Sequence, residues 1–308
     1  MTEPAASMLA AVAPYFGWDL LRDLQELFRY SFMQHAFEAG TAVAIVAGVI
    51  GYFVVLRGLS FAAHALSHIG FAGATGGVLL GLPPLAGLLA FTISAGAVMG
   101  ALGQRLRGRD VTIGLVMAWS LGLGLLFTYL YQGPAALAIG ILFGQVFGIT
   151  SQEVAITIVA GAVTLLTLVG MYRPLLFATL DEEVAEARGV PVRGLSVAFM
   201  IILAIAVSEA VRVVGVLLIF ALIVAPPAIA ERFTTRPSRG ILLSAALALA
   251  FTWAGLAVAY YLPYPVGFFI TTIAFGSYLL ARGWSYLDAR RAMGRPRGWR
   301  EEQLRHSP

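Results

Sequence analysis

The chain has no cysteine and no lysine in its 308 residues. Without cysteine there can be no disulfide and no thiolate metal centre. Without lysine there is no Walker A motif, G-x-x-x-x-G-K-[ST], so the chain cannot supply its own P-loop ATPase. Charge of either sign is scarce, at 12% of residues, about half the roughly 25% of a soluble domain. Histidine occurs only four times. What replaces these residues is apolar: 59% of the chain is hydrophobic, and runs near twenty residues recur from about residue 39 to residue 281. A bilayer core of about 30 Å takes about 20 helical residues to cross. The fold class is therefore an all-α polytopic membrane protein. An outer-membrane barrel would alternate apolar and polar residues with period two, and these runs do not.

The net charge of +4 collects near the ends of apolar runs, so it speaks of membrane topology and implies no nucleic-acid partner. Arg57, then Arg105, Arg107 and Arg109, then Arg173 to Arg193, then Arg232, Arg236 and Arg239 mark cytoplasmic loops by the positive-inside rule. Spans follow near 38–56, 60–82, 85–104, 111–131, 153–172, 195–211, 213–230, 240–261 and 265–282. Residues 135–149, "AALAIGILFGQVFGI", are short for a span and read as a re-entrant or interfacial helix packed within protein. The count is eight or nine transmembrane helices. Residues 17–35 are amphipathic, with Leu20, Leu21, Leu24, Leu27 and Phe28 on one face, which suits a helix on the membrane surface. The chain so divides into an N-terminal surface segment (1–37), a transmembrane domain (38–282) and a basic cytoplasmic tail (283–308). Met1 to Pro14 lacks the basic start of a signal peptide, so no cleavage is expected.

Two histidines, His64 and His68, stand four apart in "LSFAAHALSHIGFAGATGG" (59–77). Residues four apart share one face of a helix, so two imidazoles there can hold one metal ion. They can also hydrogen-bond into the bundle without any ligand role. Ionisable groups inside a membrane are costly and mark pathways by default. Imidazole pairs suit Zn, Cu or Ni better than hard cations such as Mg or Ca. Ala65 stands where the metalloprotease H-E-x-x-H motif has its glutamate, so hydrolysis is not indicated. Other polar positions are fewer. Glu209 and Arg212, three apart, are expected to pair at the outer membrane face, with attraction of cations at a pore mouth as the alternative. His35 and Glu38 flank the first span at the interface, where a secondary metal contact is the weaker option.

The stretch 177–195, "FATLDEEVAEARGVPVRGL", breaks the apolar pattern with Asp181, Glu182, Glu183 and Glu186. Thr179 and Glu182 fit a T-x-x-E capping box, Gly189 a left-handed C-terminal position and Pro191 a stop. A helix over 179–189 follows. Such a short helix needs a surface to lean on, whether its own protein or a cytoplasmic partner. This segment resembles the coupling loop "D-E-x-x-A-x-x-x-G-V" of the membrane permeases of bacterial zinc, manganese and iron ABC importers, with Asp181, Glu182, Ala185, Gly189 and Val190 in place. "VVLRGLSFAAHALSH" is similar to that family's "VVLRRMSF-x-x-D-A-x-x-H". The blocks 110–127, 141–149, 212–230 and 262–275 are similar too, so the likeness runs over most of the chain.

The resemblance implies a permease subunit of the bacterial inner membrane, not catalytic by itself. It would work as a homodimer with cytoplasmic ABC ATPase subunits and an extracytoplasmic metal-binding protein. No cofactor is implied beyond the transported ion. The family's metal site uses an aspartate and a histidine four apart; His68 falls on that histidine and His64 replaces the aspartate. An all-nitrogen pair tilts the cargo towards zinc and away from manganese, and makes occupancy sensitive to pH near the imidazole pKa of about 6.5. Manganese or iron in the same class of importer is the alternative. A self-sufficient secondary transporter would show inverted repeats and mid-membrane acids. No clear repeat is visible, and Glu209 is the lone candidate acid. An intramembrane metalloenzyme would need a third ligand and a base, and the sequence shows neither.

Overall fold

A segment crossing hydrocarbon must close its backbone hydrogen bonds within itself, and a helix does so. The computed structural model describes residues 28–102, 109–131, 140, 142–262 and 264–293. Its regular elements are helices α1 (Ser31–Leu56), α2 (Ser60–Leu79), α3 (Pro84–Leu102), α4 (Arg109–Leu130), α5 (Ser151–Leu180), α6 (Glu182–Ala187), α7 (Val192–Val214), α8 (Val216–Phe233), α9 (Pro237–Tyr261) and α10 (Val266–Met293), with one 3-10 turn at Val146–Gly148. Among the described residues, nine helices are long enough to span. Eight of these are also apolar enough over an 18-residue window; α2, diluted by alanine, glycine, serine and its two histidines, is the exception.

The centre of the bundle is α1 and α7, whose apolar windows are 67% and 72% buried, against 17% in α4 and 22% in α10. Around them, α2 packs on α3 and α4, α3 on α7, α9 and α8 on α1, and α10 on α8 and α9. Close approach needs small residues where hydrophobic association adds little within lipid. At Gly51 of α1 a Cβ would run into the Ile223 carbonyl of α8. That carbonyl lies four residues before Pro227, which has no N–H to bond it. Removing one side chain and one amide lets α1 press against bare backbone.

Several expected boundaries move. The first span begins at Ser31, so residues 31–35 continue α1 and do not form a surface helix; residues 1–27 lie outside the described residues, as do Arg105, Arg107 and residues 294–308 of the tail. The fifth span runs two turns beyond 172, to Leu180. Its start carries a capping box that the sequence reading passed over. Thr150 Oγ1 accepts from the Glu153 amide, and Glu153 Oε2 accepts from the Thr150 amide. The short helix expected over 135–149 falls largely outside the described residues. The described part, 142–150, carries the 3-10 turn and leans on the α7–α8 corner. There Gly144 (φ 76°) and Gly215 (φ 85°) meet backbone to backbone, and a Cβ on either would collide with the other's strand of chain.

Candidate metal site and coupling elements

Helix α2 buries every residue from Ala62 to Gly77 except His64 and His68, which are half-buried. Spacing of four puts both on one stripe, the one break in that buried stretch; Phe61, just before it, is exposed, and Val78 and Leu79, just after it, are half-buried. The two rings sit edge to face with centroids 4.6 Å apart, and the His64 ring lies 4.7 Å from Phe220 of α8. Among the described residues neither Nδ1 atom has a hydrogen-bond partner. Ser67 Oγ donates to the His64 carbonyl at 2.7 Å, so its hydroxyl is engaged with its own helix. The unpartnered Nδ1 atoms are themselves buried, and two adjacent imidazoles on one half-buried stripe are of the donor type that suits a borderline-soft cation. Among the described residues no group of three metal-ligating side chains occurs.

The other polar candidates lie elsewhere. His35, in the first turn of α1, has its Nδ1 3.1 Å from the Ile149 carbonyl, a bond made by the tautomer protonated there. It precedes Arg57 by 22 residues of one helix, roughly 33 Å at about 1.5 Å per residue. It is thus at the opposite end of the bundle from the α1–α2 corner. Glu38, one turn further along α1, is exposed. The expected Glu209–Arg212 pair does not form. Arg212 Nη2 donates to Glu153 Oε1 at 3.0 Å, because the start of α5 brings a capping carboxylate across from α7. Glu209 is only 8% exposed and its Oε2 has no hydrogen-bond partner among the described residues. It lines a small cavity of about 20 Å³ with Thr157, Val43 and Ile219. Nearby, Thr92 of α3 and Ser208 of α7 share a buried hydroxyl–hydroxyl bond of 2.7 Å.

At the other end, α6 differs from expectation in its cap. Thr179 is still inside α5, where its hydroxyl donates to the Leu175 carbonyl at 2.6 Å. Asp181 takes the cap instead: its Oδ1 accepts from the Val184 amide at 2.9 Å, the role in which a short carboxylate satisfies a first-turn donor. Glu182 and Glu183 follow in the first turn, where negative charge suits the helix dipole. The end behaves as expected. Gly189 has φ 82°, its amide bonds Glu186, and the Val190 amide bonds Ala185, both at 3.0 Å, the two bonds of a Schellman motif. Glu183, Val184, Glu186 and Ala187 are exposed and only Ala185 is fully buried. The helix is held by one small apolar residue and turns its acids outward.

The sequence and the fold together place the chain among known proteins. The family model described as the ABC 3 transport family matches residues 29–287. The chain belongs to the ABC 3 transport family. It is a multi-pass bacterial membrane protein and a metal ABC permease subunit, a membrane component of a transporter and not a catalytic chain. The manganese transport system membrane protein MntC of Listeria monocytogenes is 30% identical over 238 residues, 77% of this chain and 85% of that one. The manganese import system permease protein ScaB of Streptococcus parasanguinis is 29% identical over 242 residues, 78% of this chain and 86% of that one. A solved structure, PsaBC from Streptococcus pneumoniae in complex with Fab, superposes with a TM-score of 0.77 at 28% identity, covering 85% of this chain and 95% of that one.

For an ABC 3 permease the residues that sequence reading missed are the ones that fasten helices together. Arg57 joins α1 to the helices on either side of α6, and Glu153 joins α5 to α7. The Glu153 signal was present as Thr150-x-x-Glu153 ahead of an apolar run. Arg57 had no local signal, since its partners lie 122 and 139 residues away.

Proposed function

We propose that the chain imports a divalent transition metal, with zinc as the cargo and His64 and His68 as a transient two-point ligand on its path. The observation that carries this reading is the histidine stripe: the one break in the buried stretch 62–77 of α2, with both Nδ1 atoms unpartnered among the described residues. A storage site would close four ligands around zinc, whereas a transport site must release its ion, and two imidazoles with water meet that need. A second copy of the chain presenting the same stripe across a two-fold axis would double the nitrogen donors while the ion passes. The exposed acidic face of α6 docks on a cytoplasmic ABC ATPase, one per permease copy. An extracytoplasmic metal-binding protein delivers the ion to the outer mouth, and ATP drives alternating access.

Manganese is the second reading, favoured by the relatives described as manganese transport proteins. Uptake of labelled zinc and manganese by the transporter reconstituted with its ATPase and binding protein decides between them. His64→Ala and His68→Ala should each cut uptake, and His64→Asp should shift preference towards manganese. Unchanged zinc uptake in both alanine variants would remove the histidine pair from the path. Preferential manganese uptake by the unaltered chain would replace zinc as cargo.

A further inference from the structure

We infer that Arg57 is the positioning residue through which movement of α6 reaches the histidine helix; this rests on the docking role proposed for α6. Arg57 closes α1, and α2 begins three residues later at Ser60. Its guanidinium reaches both flanks of the α6 loop at once. Nη1 donates to Thr179 Oγ1 at 3.2 Å, and Nη2 donates to Ser196 Oγ at 2.9 Å. Thr179 stands two residues before Asp181, the cap of α6, and Ser196 four residues into α7, on the far side of the loop. The same guanidinium lies over the ring of Phe199, 5.5 Å from its centroid, and Phe199 is fully buried. One planar cation thus pins the last turn of α5, the first turns of α7 and the α1–α2 corner together. The fork of a guanidinium supplies two divergent donors in a fixed plane, which an ammonium does not.

Thr179 and Ser196 both meet Arg57 through hydroxyls, and each bond gains from the cation's charge. Thr179 spends its own proton on the Leu175 carbonyl, so it offers only lone pairs to Arg57, and its aim is set by α5. Helix α6 itself packs chiefly on α5 and α7. A push on α6 that shifts those two helices moves Arg57, seven residues before His64, and with it the start of α2 at Ser60.

The test uses the complete transporter in liposomes, reading zinc uptake and ATP hydrolysis in the same vesicles. Arg57→Met keeps the stem and removes both bonds; a Thr179→Val, Ser196→Ala double variant removes both acceptors and keeps the arginine. Each should retain the ATPase at the membrane and continue to hydrolyse ATP while zinc moved per ATP falls about tenfold, the order expected for losing charge-assisted bonds. Arg57→Lys should fall between. Because the chain has no cysteine, spin labels at Ser60→Cys and Val184→Cys report the α6–α2 distance directly. That distance should respond to ATP in the otherwise unaltered chain and lose the response in Arg57→Met.

A normal zinc-to-ATP ratio in the double variant, or an unchanged label response in Arg57→Met, overturns the proposal. So does loss of the ATPase from the membrane, which would make Arg57 a support for docking and not a relay. If Glu182→Ala, Glu183→Ala and Glu186→Ala together leave ATPase attachment and uptake intact, the docking role of α6 fails first, and that failure is visible without any Arg57 variant.

Discussion

Arg212 of α7 pairs with Glu153 of α5, 59 residues away, and not with Glu209 one turn behind it on its own helix. Glu153 thereby serves twice, closing the capping box of α5 and fixing the C-terminal end of α7. The pair is partly exposed, with side chains 21% and 42% accessible, so screening keeps its own share small. Glu153→Ala removes both the N3 half of the capping box and the carboxylate that Arg212 meets, and should lower stability by about 1 kcal/mol. Thermal unfolding in detergent should show Glu153→Ala melting lower than wild type while Glu153→Gln, which keeps the capping box, falls less.

Gly144 and Gly215 should tolerate no side chain. Each has positive φ and each faces the other's backbone. Alanine at either position adds about 1–2 kcal/mol of backbone strain and a collision besides. Both Gly144→Ala and Gly215→Ala should melt earlier. Protease cleavage within 142–150 should quicken in each if that segment lifts off the α7–α8 corner.

The contact between Gly51 and the Ile223 carbonyl predicts a different failure. Gly51→Ala inserts a methyl group where α1 and α8 already touch, and overpacking of this kind costs about 1–3 kcal/mol. Gly170, on the perimeter of α5 with open space around it, is the control. Gly170→Ala should be neutral or slightly stabilising, since it adds helix propensity without a clash.

For α6 the test separates shape from charge. Asp181→Ala removes the cap and should cost about 1 kcal/mol of local helix stability. Gly189→Ala keeps every contact, because nothing lies near its missing Cβ, but strains a φ of 82° by about 1–2 kcal/mol. Hydrogen exchange should quicken across 182–190 in both variants while the transmembrane helices keep their protection. An unchanged exchange rate would mean that packing of Ala185 alone orders the loop.

The fold was largely legible in the sequence because hydrocarbon permits so few backbone solutions. Apolar run length gave eight or nine spans, and nine long helices stand near those places among the described residues. What local pattern could not show was which polar groups meet. Glu209 and Arg212 look paired on the chain, yet Arg212 turns to a carboxylate delivered by another helix, and Glu209 is left lining a small cavity. Thr179 looked like a cap, but the apolar run simply carried α5 past it, and Asp181 took the role. The histidine stripe was legible by its period. Its significance, the one break in the buried stretch 62–77, depends on α3, α4, α7 and α8 packing around that stretch.

Helix α2 is long enough to cross the membrane but is the one long helix whose composition falls short of the apolar threshold. Segments enter a bilayer by summed residue hydrophobicity, and each polar side chain near the centre weighs against entry. The histidine helix is thus the span least able to insert alone, and its stability in lipid comes from the helices that enclose it. Its biogenesis is bound to that of α1 and α3, between which it is made. The two histidines reach the membrane interior only as part of an assembling bundle, and the polar side chains that set α2 apart make it dependent on its neighbours from the moment of synthesis.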